Sequence, residues 1–146
     1  MSFRYKKRSN RTPTMNLDRL KPPLTGDDPP LTGWVHGIDA SDLEERFARG
    51  LDNAGIGYKF KTLIPTAFSL PRESKELDFL VPSLIRPVEI DGEIGHKTSA
   101  QQAKDALRDA QLNPELRKMG YNDIKHILWN ELETQELADR VARELI

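Results

Sequence analysis

The chain has 146 residues, 31% charged and 37% hydrophobic, a composition typical of a globular domain with a sizeable core. The absence of cysteine excludes disulfides and thiolate zinc sites. No apolar run approaches about 18 residues and no secretory segment follows the first methionine, so we expect an intracellular, cytoplasmic protein that is neither secreted nor bound to a membrane.

The net charge of −1 hides an asymmetry between the start of the chain and the rest. Residues 1–22 carry seven Lys and Arg against a single acid, which gives +6 and leaves −7 for the remainder. Five of the ten prolines lie in the first 30 residues, where apolar residues show no periodicity. We therefore expect an extended, Pro-rich basic arm over 1–35 and a folded domain over 36–146. The arm either contacts nucleic-acid phosphates or is a solvated tail. Its candidate phosphate contacts are Arg4, Lys6, Lys7, Arg8 and Arg11.

The first element in chain order is a helix over about 42–54. Ser41 and Glu44 have the spacing of a capping box, and Gly55 suits the position after the helix end. Its apolar face is formed by Leu43, Phe47, Leu51 and Ala54. Glu44 either serves only as a cap or also reaches a functional site. Glu45 points away from the apolar face, so we expect it to be solvated.

Three strands follow, at about 57–64, 75–81 and 87–92. In the second strand Asp78 lies opposite an apolar face, and in the third Glu89 and Asp91 share one side. If these two strands pair, the three carboxylates meet on one face of a sheet and suit Mg²⁺ or Mn²⁺. The alternative is a hydrated sheet edge with ordinary surface acids.

A second helix is predicted over 99–118, capped by Thr98 or Ser99 and broken or kinked at Asn113-Pro114. Its expected inner stripe is Ala100, Ala103, Leu107 and Ala110. A fourth strand over 123–130, covered on both faces, should lie beside the first strand and parallel to it. A last helix over 134–145 is capped by Thr134, with Leu137, Val141 and Leu145 along one side.

The loop after the third strand adds two candidates for chemistry, His96 and Lys97. Imidazole titrates near pH 6.5, so His96 suits a general base or proton donor, although a surface histidine is the alternative. His126 lies in a strand and is expected to be structural, and Trp129 is expected in the core. Asp109 is either a solvated helix acid or a site residue.

The order αβββαβα resembles the PD-(D/E)XK nuclease superfamily, with Glu44, Asp78 and Glu89-Ile90-Asp91 as the matching residues. The chain is more closely similar to the very-short-patch repair endonucleases and related homing endonucleases. That similarity is carried by Glu44 before Phe47 and Leu51, Asp78 before Phe79-Leu80-Val81, His96, Arg108-Asp109, and the close Leu128-Trp129-Asn130-Glu131.

The resemblance implies an α/β restriction-endonuclease-like core, with a mixed four-stranded sheet flanked by helices, and a magnesium-dependent endonuclease that hydrolyses DNA. Asp78, Glu89 and Asp91 would be the metal ligands, and Glu44 and His96 further catalytic residues. Two departures stand out. Asp91 occupies the usual lysine position, for which His96 or Lys97 would substitute, and the repair enzymes' zinc ligands are missing.

The small size favours a homodimer or a larger assembly, the latter through the arm. Two other functions remain open. One is a catalytically inactive subunit on the same fold, acting in DNA binding or assembly. The other is an RNA nuclease.

Overall fold

The computed structural model describes residues 28–66, 74–92 and 98–146. The chain divides into two compact units, one formed by residues up to Gly55 with Asn130–Ile146, the other by Ile56–Trp129. The helices of the described residues are α1 (Asp42–Asn53), α2 (Ser99–Lys118) and α3 (Gln135–Glu144). The strands are β1 (Trp34–Val35), β2 (Ile38–Asp39), β3 (Lys59–Pro65), β4 (Ser74–Val81), β5 (Arg86–Asp91) and β6 (Lys125–Leu128). Short 3₁₀ turns occupy Pro82–Leu84 and Trp129–Glu131.

The first strands among the described residues form a hairpin that the sequence analysis did not predict. Strands β1 and β2 pair antiparallel through a two-residue turn, His36-Gly37, in which both residues have positive φ. This is the turn geometry that matches the twist of paired strands, and glycine at its second position adopts it without strain.

Helix α1 confirms the predicted capping box. Ser41 Oγ accepts from the Glu44 N–H at 3.1 Å, and Glu44 Oε1 accepts from the Ser41 N–H at 2.8 Å. Phe47 and Leu51 are fully buried. Helix α3 begins at the predicted cap, where Thr134 Oγ1 accepts from the Leu137 N–H.

The two helices of this unit approach closely at Gly50. A Cβ atom added there would lie 2.7 Å from the Ala138 carbonyl oxygen, closer than atoms can pack. The buried face of α3 opposite is built from small residues, Ala138 and Ala142, beside Val141. Glycine at position 50 therefore permits this helix packing.

The expectation that Glu45 is solvated was wrong. Only 2% of Glu45 is exposed, and its carboxylate accepts from the Thr32 and Gly33 N–H groups and the Thr32 hydroxyl. Arg49, one turn along the helix, pairs with it at 3.1 Å. A buried carboxylate is stable only when its lone pairs are satisfied, and the segment before β1 provides those donors.

The second unit is built on a four-stranded sheet in the order β3-β4-β5-β6. The sheet is mixed, as predicted. The pairs β3/β4 and β4/β5 are antiparallel, and β5/β6 is parallel. The placement of the fourth strand beside the first was wrong, because β6 pairs with β5. Helix α2 connects these two neighbours as a crossover, and consecutive elements usually pack side by side.

Helix α2 has the predicted bounds and is capped by Thr98, with Gln101 completing the capping box. The helix continues through Pro114 to Lys118, so the expected break does not occur. The predicted inner stripe was also wrong, since Leu107 is 59% exposed and the three alanines are exposed. The residues that bury the helix are Leu112 and Leu116.

The core of this unit lies between α2 and the sheet. It comprises Ile64, Leu77, Leu80, Leu112, Leu116 and Ile124, with Tyr121 packed against it. Phe79 is fully buried and contacts the rings of Tyr58 and Phe60. The prediction that β6 spans residues 123–130 and is buried on both faces was wrong. The strand has four residues, and Ile127 is the one that is buried. Trp129, expected in the core, is half-buried in the turn that follows.

No helix in the described parts of the chain is long and apolar enough to cross a lipid bilayer.

Candidate functional site

The backbone pairing between β4 and β5 ends before Asp78 and Glu89, and we call the point where these two residues lie the fork. The backbone ladder pairs Val81 with Arg86, Leu80 with Pro87 and Phe79 with Val88. Beyond this last pair, side chains bridge the two strands. Asp78 donates its N–H to Glu89 Oε2 at 2.8 Å, and Asp78 Oδ2 accepts from the Ile90 N–H at 2.9 Å. The fork therefore holds the carboxylates of Asp78 and Glu89, one from each strand, and the sequence analysis named both as candidate metal ligands.

Arg108 reaches the fork from helix α2. Its guanidinium forms an ion pair with Glu89 Oε1 and donates a hydrogen bond to the carbonyl oxygen of Glu76 on β4. The Glu89 side chain is 9% exposed and the Arg108 side chain 29%. The Glu89 carboxylate is thus bonded through one oxygen to a backbone N–H and through the other to a guanidinium. These bonds offset the cost of burying its charge.

A second polar network lies beside the fork. The parallel register pairs Glu89 with His126, so the His126 side chain lies on the same side of the sheet as Glu89 and Asp91. His126 Nδ1 lies 3.2 Å from Asp91 Oδ1, and Nε2 lies 2.6 Å from Asp109 Oδ2. A strand acid and a helix acid therefore hold the imidazole from both sides.

The environment of His126 shifts its pKa in two opposing ways. Burial alone would lower the pKa, because it disfavours the charged ring. Hydrogen bonds to Asp109 and Asp91, with the attraction of their negative charges, outweigh burial and raise the pKa of His126 above its ordinary value. The charged imidazolium is the form in which both ring nitrogens donate, one to each carboxylate.

The two networks line one cleft of about 270 Å³. Its wall consists of Glu89, Ile90, Asp91, Gly92, Asp105, Arg108, Asp109 and His126. Four acids face one arginine and one histidine, so the cleft is polar and negative on balance. Such a group of titratable side chains in a concave surface is typical of a functional site.

The sequence-based candidates have different positions in the structure. Asp78 and Glu89 meet at the fork, and Asp91 lies against His126. Glu44 belongs to the other unit, where it completes the capping box, and its role in a site remains a prediction. His96 and Lys97 lie outside the described residues, as do the basic residues of the arm, Arg4, Lys6, Lys7, Arg8 and Arg11.

Three charged cleft residues were missed as site residues from the sequence, namely Asp105, Arg108 and His126. His126 was assigned a structural role, although pairing β6 with β5 would have placed it beside Glu89. Arg108 entered the sequence analysis only together with Asp109, as part of the family resemblance. Its position one turn before Leu112 would have indicated the sheet side of the helix.

The donor chemistry of the fork fits a hard divalent cation, because carboxylate and carbonyl oxygens are the ligands of such ions. The oxygens of Glu89 and Glu76 already attract a positive group, the Arg108 guanidinium. Within residues 28–66, 74–92 and 98–146, no group of three or more His, Asp or Glu is arranged to hold a metal ion. The fork thus presents two carboxylates, and further oxygens would have to come from elsewhere.

These observations define an α/β protein whose mixed sheet carries an acidic cleft with an embedded arginine and histidine. Comparison with known proteins found no family model and no curated protein that matches the chain.

Proposed function

We propose that the protein is a magnesium-dependent endodeoxyribonuclease with a PD-(D/E)XK, restriction-endonuclease-like fold. The observation that carries the proposal is the fork, where Asp78 and Glu89 converge from adjacent antiparallel strands. There the Glu89 carboxylate accepts from the Asp78 N–H and the Asp78 carboxylate accepts from the Ile90 N–H. Two acids at such a point constitute a focused negative site beside a cleft. Hydrolysis of a phosphodiester requires positive charge near the phosphate, and a negative site binds the divalent cation that supplies it.

Asp78 and Glu89 would hold Mg²⁺ or Mn²⁺, with Asp91 as a further ligand if it leaves His126. When bound, a divalent cation stabilises the charge that develops on the phosphate and promotes ionisation of the attacking water. The chain's own contribution is orientation. The Asp78 N–H holds Glu89 Oε2, and the Ile90 N–H holds Asp78 Oδ2, so both carboxylates are positioned before substrate arrives.

His126 and Arg108 would act on the substrate side of the cleft. Asp91 and Asp109 fix the imidazole ring and favour its charged form, which places a positive group beside the acids. A positive group at this position can offset charge on a phosphate oxygen. In this proposal His96 is a general base or proton donor, Glu44 a supporting acid and Lys97 a phosphate contact.

Binding of DNA would draw on basic residues outside the cleft. Lys59 is exposed on strand β3, and Lys61 is half-buried on the same strand. The arm residues named above would add further phosphate contacts. Such contacts position the duplex and increase affinity without reading its sequence.

The proposal is tested by cleavage of supercoiled plasmid in Mg²⁺ or Mn²⁺, with labelled RNA in parallel. We expect the wild-type protein to nick DNA, and Asp78→Asn and Glu89→Gln to reduce the rate by at least about 100-fold. Asp123→Asn is the matched control, since this acid pairs with Arg117 on the surface and should leave cleavage unchanged. Circular dichroism would verify that each variant folds.

Full activity in Glu89→Gln would refute the ligand assignment, and cleavage of RNA alone would reassign the substrate. A second candidate is a catalytically inactive DNA-binding or assembly subunit. It is favoured by the ion pair that neutralises Glu89 with Arg108, and by Asp91 at the usual lysine position. DNA binding without cleavage in either metal would support this candidate.

A further inference from the structure

The position of Arg108 is determined by the packing of helix α2. Leu112 and Leu116 lie one and two turns further along the helix, and both are completely buried against the sheet. Residues four apart on a helix share a face, so the buried leucines direct Arg108 towards the same side. The guanidinium therefore reaches the fork because the fold places it there.

The contacts of this guanidinium are those expected of a cation. It bonds to a carboxylate oxygen of Glu89 and to the carbonyl oxygen of Glu76, which belong to two different strands. Arginine carries its charge at all physiological pH values. Arg108 thus neutralises from within the chain the same acid that the proposed function assigns to a divalent ion.

Arg108 is also the one Arg or Lys among the described residues that line the cleft. The other positive group, His126, is held on both sides by Asp91 and Asp109. A cleft with four acids repels a phosphate unless a cation receives it. A planar guanidinium can contact two phosphate oxygens at once, which makes it suited to that task.

We propose that Arg108 is an internal counter-ion of Glu89, which a divalent cation displaces, and that the released guanidinium then binds a phosphate of the nucleic acid. This inference rests on the proposed function, because it takes Asp78 and Glu89 as the metal ligands. It assigns Arg108 two successive partners, Glu89 before the cation binds and phosphate afterwards. Loading with metal would thereby prepare the cleft for substrate.

The first test measures binding of Mn²⁺ to the full chain by calorimetry, in the absence of nucleic acid. We expect Arg108→Gln to bind Mn²⁺ about tenfold more tightly than the wild type, because the competing ion pair is gone. Arg108→Lys retains a competing charge and should stay within about threefold of the wild type. Arg117→Gln, which removes an exposed arginine paired with Asp123, is the matched control and should have no effect.

The second test measures affinity for a short duplex by fluorescence anisotropy, read before cleavage develops. With saturating Mn²⁺ we expect Arg108→Gln to bind DNA about tenfold more weakly than the wild type, and with chelator to bind it equally. A variant that binds metal more tightly but DNA more weakly separates this inference from a purely structural role. Loss of folding would weaken both.

A measurement on the wild type requires no substitution. The side-chain Nε–H NMR signal of Arg108 should shift when Mg²⁺ saturates the protein, because its partner changes. An unshifted signal at saturation would overturn the inference even if Arg108→Gln failed to fold.

The remaining outcomes are also decisive. Equal or weaker Mn²⁺ binding by Arg108→Gln, with Mn²⁺ bound by the wild type, refutes the counter-ion but leaves the proposed function standing. Absence of Mn²⁺ binding in every variant, including Arg108→Gln, refutes the metal site of the proposed function, and the counter-ion is refuted with it.

Discussion

At the scale of single residues, the charge of His126 depends on its two acidic neighbours. Asp91 and Asp109 lie on either side of the ring and raise its pKa against the opposing effect of burial. A folded-state pKa above the unfolded value means that protonation favours the folded protein. The resulting stability is fully present below the unfolded pKa of about 6.5, and is lost as pH rises through the raised folded value.

We predict that the wild type is more stable than His126→Gln at acidic pH. This difference in the free energy of unfolding should shrink as the pH rises. Unfolding midpoints measured from about pH 5.5 to about pH 8.5 should show the wild type most advantaged at the acidic end. Asp109→Asn is a companion variant, because it removes one of the two groups that raise the pKa, and it should reduce the same pH dependence. A difference in unfolding midpoint between wild type and His126→Gln that widens with rising pH would contradict this account.

At the scale of elements, the close approach of α1 to α3 depends on a missing side chain. The Cβ of an alanine at position 50 would overlap the Ala138 carbonyl, which is backbone and cannot rotate away. We predict that Gly50→Ala destabilises the protein by about 1 to 3 kcal/mol, despite the better helix propensity of alanine. Denaturant unfolding followed by circular dichroism would measure the change.

Gly57→Ala is the control for this prediction. A Cβ at position 57 would contact nothing within 4 Å, and no positive φ prevents the substitution. We expect Gly57→Ala to be neutral or to stabilise by up to about 1 kcal/mol, through the unfolded chain. Equal effects of the two substitutions would show that the helix contact is not the cause.

The elements also differ in how far local signals determine them. Helices α1, α2 and α3 begin at the predicted capping residues, because a cap is a contact between neighbours in the chain. The partner of β6 depends on which strand edge the crossover helix reaches, and no local pattern contains that information. The side of α2 that faces the sheet likewise depends on where the crossover places the helix. Leu112 and Leu116 are buried against the sheet, and the predicted alanine stripe is not.

At the scale of the whole molecule, the separation of charge along the chain predicts how salt would affect binding of DNA. Residues 1–22 contain seven Lys and Arg. We predict that deleting residues 2–22 weakens duplex binding and reduces the salt slope, log affinity against log salt, by up to about 6. Anisotropy titrations at several salt concentrations would measure both quantities.

A matched control keeps the length of the arm and replaces its seven basic residues with glutamine. Because the effect depends on counterion release, this variant should behave like the deletion. A salt slope that stays unchanged in both variants would remove the arm from the binding of DNA.

The site itself was only partly predictable. Asp78 and Glu89 were selected together because alternation on two short strands placed acids opposite apolar faces, and their antiparallel pairing brought them into contact. Arg108, His126 and the burial of Glu45 were missed or misassigned. Each depends on a partner distant in sequence, as Glu45 does on Thr32 and Gly33.

The amino-acid sequence by itself determined the helix bounds, the acidic strands and the charge asymmetry, since these follow from spacing and composition over a few residues. Only the tertiary structure decided that β6 lies beside β5, that Arg108 neutralises Glu89 and that His126 lies between two acids. The physical reason is that ion pairs and strand pairing act through space. The residues that form them are separated by 17 to 37 positions of chain, over which local propensity carries no information about distance.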